Sequence, residues 1–203
     1  MLLDRDPEAL LAIVVSLLVG LTFHEFSHAA VADQLGDHRP RALGRLSLNP
    51  VAHIDPIGAL MFIIAGFGWA KPVPVNVYAL RGGRSGMAFV AAAGPLANLL
   101  VATAFAVAYR VLDIVGVSGF TQGLTLNIVF FNVLLAIFNL IPIPPLDGYN
   151  VVWPFLPPRL AYTVQRYAPY GLIVLLLLVL LPGSPLRLLL RLAQPITSLL
   201  TGA

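Results

Sequence analysis

Long uninterrupted apolar stretches dominate the pattern of hydrophobic and polar positions along this chain. The first stretch begins at Asp6-Pro7-Glu8, where a capping carboxylate, a proline at the first position and an acid in the first turn predict a helix start. The helix can continue to about Leu35, where Gly36 offers a stop. At roughly 43 Å it is long enough to cross a bilayer. The start has no cationic region and no small-residue cleavage site, so it is not typical of a cleavable signal peptide.

Three further apolar segments predict helices at residues 87–112, 124–141 and about 161–181. The last segment, 186–200, carries Arg187 and Arg191 among leucines and predicts either an interfacial helix or half of a final hairpin. Pro195 within it argues against a straight span.

One apolar segment, residues 57–68, is too short to cross a bilayer and predicts a re-entrant or interfacial element. In residues 69–78 valines alternate with prolines, which predicts extended chain and a small hairpin or sheet edge. We therefore expect an all-α polytopic membrane protein with about four to six membrane helices. Residues 1–203 form one membrane-embedded domain in this interpretation.

Composition supports a lipid environment. Hydrophobic residues make up 59% of the 203 and charged residues 10%, against about 25% charged residues in soluble domains. The basic residues are thinly spread, so the net charge of +3 predicts no nucleic-acid surface. The absence of cysteine excludes disulfide scaffolds, thiol nucleophiles and cysteine-ligated zinc.

The chemistry-bearing motif is His24-Glu25-Phe26-Ser27-His28, an H-E-x-x-H sequence on the first predicted helix. Histidines four residues apart share a helix face, and two neutral imidazoles suit zinc. Glu25 is then placed to act as the general base. Ionisable groups in a membrane helix are costly and usually functional, which favours a metal site over a structural polar cluster.

A catalytic zinc needs a third protein ligand. Asp33 faces away from both histidines on an ideal helix, and we expect Asp37 and His38 to lie in a surface loop. Asp55 remains open. Asp147 follows a proline-broken helix end of the kind found at membrane sites, although an Asp-Gly pair is also an ordinary turn.

Taken together, these motifs resemble the site-2 protease family of intramembrane zinc metalloproteases. The resemblance rests on the H-E-x-x-H motif, residues 49–58, the Gly94-Pro95-x-x-Asn98 motif and residues 139–148. It implies one Zn²⁺ per chain held by His24, His28 and Asp147, with Glu25 as general base. It also implies that Asn98 helps to position the substrate or to bind the oxyanion, for which plain interhelical bonding is the alternative. Many members carry PDZ or CBS modules, and this sequence has neither.

The motifs meet in space if residues 57–68 do not cross the membrane and the three flanking helices alternate in direction. One side then holds eight Lys and Arg residues and the other side four. The eight are Arg39, Arg41, Arg45, Lys71, Arg81, Arg84, Arg159 and Arg166. The positive-inside rule makes that side cytoplasmic. We thus expect the site to open toward the cytoplasm and the N-terminus to lie outside.

The predicted activity is cleavage of membrane-spanning or membrane-proximal segments of substrate proteins. Residues 69–78 would either receive an unwound substrate strand by edge pairing or form a plain interfacial loop. His53 is expected to be a loop histidine with no role, with a place near the site as the alternative. A non-proteolytic metal-binding scaffold is the rival function, and Glu25 argues against it. A transporter is disfavoured because the sequence has no repeat. The absence of targeting signals favours a prokaryotic plasma membrane.

Overall fold

The computed structural model describes residues 6–65, 68–180 and 186–202. The described residues form helices with short connecting turns and contain no β-strand. The α-helices are α1 (Pro7–Gln34), α2 (Arg39–Ala42), α3 (Pro56–Ala65), α4 (Arg84–Ile114), α5 (Phe120–Asn139), α6 (Asp147–Val152), α7 (Pro158–Tyr167), α8 (Gly171–Leu180) and α9 (Leu186–Thr201). Short 3₁₀ turns lie at Pro50–His53, Val77–Ala79, Trp153–Phe155 and Ala168–Tyr170.

Three helices, α1, α4 and α5, are long and apolar enough to cross a membrane. They pack against one another as a bundle. The predicted start of α1 is confirmed, because the Asp6 carboxylate accepts a hydrogen bond from the Ala9 amide. The two other long helices begin three to four residues earlier than the apolar runs suggested, since polar residues such as Arg84 and Gln122 also tolerate helix ends.

Small residues allow α4 and α5 to approach closely. Ala102 and Ala106 of α4 face Val129 and Val133 of α5, and all four are buried. Ala193 of α9 completes this cluster. The amphipathic tail helix thus packs on the bundle through one face, which fits the predicted interfacial or hairpin element better than an isolated span.

The described chain does not reach the four to six spans predicted from sequence. The apolar run before residue 181 is divided into α7, a 3₁₀ turn and the ten-residue α8, because Pro169 interrupts regular helix. The end of that run and the following connection, residues 181–185, lie outside the described residues. Arg5, one of the four basic residues expected on the side opposite the eight, lies outside them as well.

The segment between α1 and α4 follows the sequence prediction only in part. Helix α3 has ten residues and is too short to cross a bilayer, as expected. Its predicted continuation through residues 66 and 67 lies outside the described residues. The small hairpin is not found among the described residues, where one isolated antiparallel bridge joins Ile54 to Ala70. Prolines at positions 72 and 74 have no N–H with which to extend the pairing.

Candidate metal centre

The two motif histidines lie buried on the same face of α1, one turn apart. The His24 and His28 Nε2 atoms are 3.0 Å from each other. The Asp147 Oδ2 atom, from the first turn of α6, lies 3.0 Å from His24 Nε2 and 3.2 Å from His28 Nε2. The structure therefore brings one ligand atom from each of the three residues to a single point.

The opposite nitrogens of both imidazoles are held by hydrogen-bond acceptors. His28 Nδ1 lies 2.7 Å from the Val90 carbonyl oxygen of α4. His24 Nδ1 lies 2.7 Å from the Asn98 Oδ1 atom, also of α4. Because these oxygens accept and cannot donate, each Nδ1 carries a proton, and each Nε2 keeps a lone pair directed at the centre.

This arrangement fits a bound cation. Two Nε2 lone pairs and a carboxylate oxygen converge, and Asp147 Oδ2 is buried without a hydrogen-bond donor. Such a set of electron-rich atoms is unfavourable at 3.0–3.2 Å unless a positive charge lies between them. Ligands of a tetrahedral zinc are about 3.3 Å apart when each bond is about 2.0–2.1 Å. The observed spacing and the two-nitrogen, one-oxygen donor set both suit zinc.

Helix α4 closes over the histidines because residue 94 is glycine. A Cβ atom at Gly94 would lie 2.5 Å from His28 Nε2 and 2.6 Å from His24 Cε1. Pro95 follows it inside α4, and because proline has no N–H, the Ala91 carbonyl four residues earlier loses its helical donor. The Val90 carbonyl that holds His28 is the neighbouring main-chain acceptor.

Glu25 follows His24 on α1 and is 9% exposed. It is buried like its neighbour His24, at the position where the sequence predicted a base. The predicted metal ligands and the predicted base thus occupy neighbouring positions.

Asn98 contacts the cluster through its oxygen rather than through its amide nitrogen. The side chain is completely buried. Its Nδ2 atom donates to the Gly20 carbonyl at 3.0 Å and to Asn132 Oδ1 at 2.9 Å. Both amide hydrogens therefore have protein acceptors, and the contact with His24 is made by Oδ1. These contacts match the alternative prediction, in which Asn98 forms hydrogen bonds between helices.

The other acids and histidines weighed from sequence lie outside the cluster. Asp33 pairs with Arg41 and His38. Asp55 accepts hydrogen bonds from the first amides of α3. His53 is buried, and its Nε2 atom donates to the Ser47 carbonyl.

The prediction that Asp37 lies in a surface loop is wrong, because its side chain is 1% exposed. It accepts hydrogen bonds from the Arg39 guanidinium and from the Asn76 amide. The Arg39 guanidinium holds the pKa of this carboxyl at about 2. Asp37 thus ties the α1–α2 connection to the loop before α4.

Sequence reasoning missed two groups that hold the cluster, the Val90 carbonyl and Asn132. A main-chain carbonyl has no sequence signal. Asn132 stood out in sequence as a polar residue in an apolar helix, which is costly. Asn127 and Asn139 on the same helix stood out equally, so the sequence did not distinguish Asn132 from them.

The chain is similar to curated proteins across most of its length. It is 37% identical to "Putative zinc metalloprotease YwhC" of Bacillus subtilis over 176 residues, which cover 84% of this chain and 80% of YwhC. The chain belongs to this zinc metalloprotease family. Proteins named "Putative zinc metalloprotease Rip2" are 32% identical in Mycobacterium tuberculosis H37Rv and 29% identical in Mycolicibacterium smegmatis. Each of these two matches covers 84% of this chain and 67% of the relative. No protein-family model and no solved structure matches the chain.

Membership makes this chain a metalloprotease, and hence a hydrolase. The relatives imply zinc as its metal. Three apolar helices indicate that this metalloprotease is a membrane protein.

Proposed function

We propose that this metalloprotease is an intramembrane endopeptidase of the site-2 type, which cleaves membrane-spanning or membrane-proximal segments of other proteins. His24, His28 and Asp147 would hold one zinc ion. One observation carries the proposal: both histidines of the cluster are buried where α1 and α4, two helices able to cross a membrane, pack together. A protease centre in that position acts on chains that enter the bilayer.

Zinc held there would polarise the scissile carbonyl and lower the pKa of water toward about 7. The Glu25 carboxylate accepts the proton of the attacking water and returns it to the nitrogen of the leaving amine. His24 and His28 contribute Nε2 because their Nδ1 protons are held by Asn98 and Val90. Outer hydrogen bonds of this kind orient metal-binding imidazoles and raise their basicity.

We assign Asn98 to orienting His24. Donation to an oxyanion, the role expected from the family resemblance, would require an Nδ2 hydrogen to leave either the Gly20 carbonyl or Asn132. An unpaired buried carbonyl costs free energy, which favours the positioning role.

The substrate must present an extended backbone, because the carbonyls of a helix are shielded by its own hydrogen bonds. Residues 69–78 are a candidate segment for pairing with this extended substrate backbone. Between Lys71 and Asn76 the chain is not part of a regular helix or strand. Only a membrane-protein substrate and lipid are proposed as partners.

We further propose a prokaryotic plasma membrane location, with the centre opening toward the cytoplasm and the N-terminus outside. The lysine and arginine excess on the side of the α1–α4 connection supports this orientation.

The test compares wild type with Glu25→Gln, both purified in detergent. Zinc per chain is counted by elemental analysis, and each protein is incubated with a single-span substrate peptide. We expect one zinc in both proteins and cleavage by wild type alone, because glutamine keeps the shape of the side chain but cannot accept the proton.

Asp55→Asn serves as the matched control, since Asp55 is an acid outside the cluster, and it should still cleave. Zinc in both proteins without cleavage by wild type, across peptides of varied sequence, would favour the metal-binding scaffold. Absence of zinc from wild type would refute the metal centre itself.

A further inference from the structure

Helix α5 carries three asparagines that share one local contact. Asn127, Asn132 and Asn139 each donate Nδ2 to the main-chain carbonyl four residues earlier, at Gly123, Ile128 and Leu135. Asn132 differs from the other two because it is completely buried, whereas they are partly exposed. Its Oδ1 atom also accepts a hydrogen bond from Asn98 Nδ2.

The direction of this hydrogen-bond chain is fixed by main-chain groups. The Ile128 carbonyl can only accept, so Asn132 must turn its Nδ2 toward it, at 2.8 Å. Asn132 Oδ1 then faces Asn98 and requires a donor there. The Gly20 carbonyl makes the same demand on Asn98 from α1. Asn98 Oδ1 is left to face His24 Nδ1, which must carry the proton.

The contact joins three helices at one buried point. Gly20 lies on α1, Asn98 on α4 and Asn132 on α5. The absence of a side chain at residue 20 permits the approach, because a Cβ atom there would lie 3.1 Å from Asn132 Oδ1 and 2.7 Å from a Leu135 methyl carbon. A buried asparagine pair whose hydrogen bonds are satisfied in this way rigidifies its surroundings, and one member of this pair contacts His24.

We propose that Asn132 is a positioning residue for the metal ligand His24. It acts through Asn98 by holding the amide so that its oxygen meets His24 Nδ1 and leaves Nε2 free for the metal. The inference rests on the proposed metal centre but not on proteolysis.

The experiment measures the zinc dissociation constant of the full chain in detergent, by competition with a chelator of known affinity. Asn132→Leu should bind zinc about 10-fold more weakly than wild type, the lower end of the loss found when an outer partner of a metal ligand is removed. Asn127→Leu is the matched control and should bind as wild type does, because Asn127 makes the same helical contact without touching Asn98. If Asn132→Leu does not fold, Asn132→Ala repeats the test with a smaller side chain.

Two further measurements separate positioning from a merely structural role. In an Asn98→Leu background, Asn132→Leu should weaken zinc binding no further, since the link through Asn98 is already lost. Asn132→Asp keeps an acceptor oxygen and should recover part of the affinity. With ¹⁵N-labelled histidine, Asn132→Leu should shift the Nδ1–H signal of His24 and leave that of His28, which bonds to Val90.

Each result decides the proposal. Equal zinc affinity in Asn132→Leu and Asn127→Leu would overturn it, as would additive losses in the double variant. Absence of zinc from wild type would overturn it together with the metal centre. If the zinc affinities of the variants follow the expected order but no peptide is cleaved, the result would support this proposal and refute the protease mechanism.

Discussion

At the residue scale, the orientation of each imidazole in the cluster is set by the hydrogen bond that its Nδ1 atom makes. His24 and His28 share a helix face, so their imidazoles can reach one point. The acceptors at Asn98 and Val90 choose which nitrogen keeps its proton. Without them, either imidazole is able to turn its N–H toward the centre and oppose a metal.

Replacement of Asp147 by alanine tests the third ligand. We expect Asp147→Ala to weaken zinc binding at least about 100-fold, more than the loss of an outer partner, because an oxygen 3.0 Å from His24 Nε2 is removed. Chelator competition measures the loss.

Asp55→Ala is the control and should retain wild-type zinc affinity, since Asp55 caps α3 instead. Full zinc binding by Asp147→Ala would move the third ligand elsewhere, with Asp55 as the next residue to examine.

At the scale of elements, the site depends on how closely α4 approaches α1. Residues 90–98 of α4 supply the Val90 carbonyl, the bare backbone at Gly94 and the Asn98 side chain. Single-residue changes on this face should act on both histidines together.

Gly94→Ala tests the close approach. The new methyl group would lie 2.5–2.6 Å from imidazole atoms, so the histidines must move or α4 must retreat. We expect zinc affinity to fall at least about 10-fold, with cleavage lost in parallel.

Gly123→Ala on α5 is the matched control, since its new methyl group would have no atom of the described residues within 4 Å beyond its own stretch of helix. It should keep zinc affinity and gain a little helix stability. Equal zinc affinity in both alanine variants would show that α4 does not limit the space around the histidines.

Asp37 links elements outside the bundle, and its titration predicts an acid dependence. Its pKa of about 2 lies below the ordinary value of 3.8, chiefly because the Arg39 guanidinium hydrogen-bonds the carboxylate. The folded state therefore gains stability above about pH 4 and loses it as the pH falls through about 2. Arg39 is half exposed, so we expect a contribution of about 1 kcal/mol.

Asp37→Asn should melt at lower temperature than wild type at pH 5 and should approach wild type near pH 2. Thermal unfolding in an acid-tolerant detergent measures the difference at each pH. A constant difference across that range would mean that the charge of Asp37 does not contribute.

At the scale of the whole molecule, the alternation of α1, α4 and α5 sets which end of the bundle holds the cluster. The α1–α4 connection and the chain after α5 lie at one end, and the α4–α5 turn lies at the other. The basic residues support our proposal that the first end is cytoplasmic.

Single cysteines test this orientation without background, because the natural chain has none. Tyr78 and Val115 are exposed at opposite ends of the bundle. With a membrane-impermeant thiol reagent on intact cells, Val115→Cys should be labelled and Tyr78→Cys should react only after lysis. The reverse pattern would place the centre on the outer side.

The sequence by itself determined the three long apolar helices, the shared face of His24 and His28, and the place of Glu25 next to His24, since all three follow from local periodicity and spacing. It pointed to Asp147 through the proline-broken helix end before it and through family resemblance, but no local rule connects this residue to His28, which lies 119 positions earlier. The tertiary structure alone decided which acceptors hold the imidazoles, why residue 94 must be glycine, and which of the three α5 asparagines faces the site. Among the described residues it also shows one isolated bridge where a hairpin was expected, and it buries Asp37. These features arise from contacts between elements far apart in the chain, where a preference of single residues carries no information about the partner.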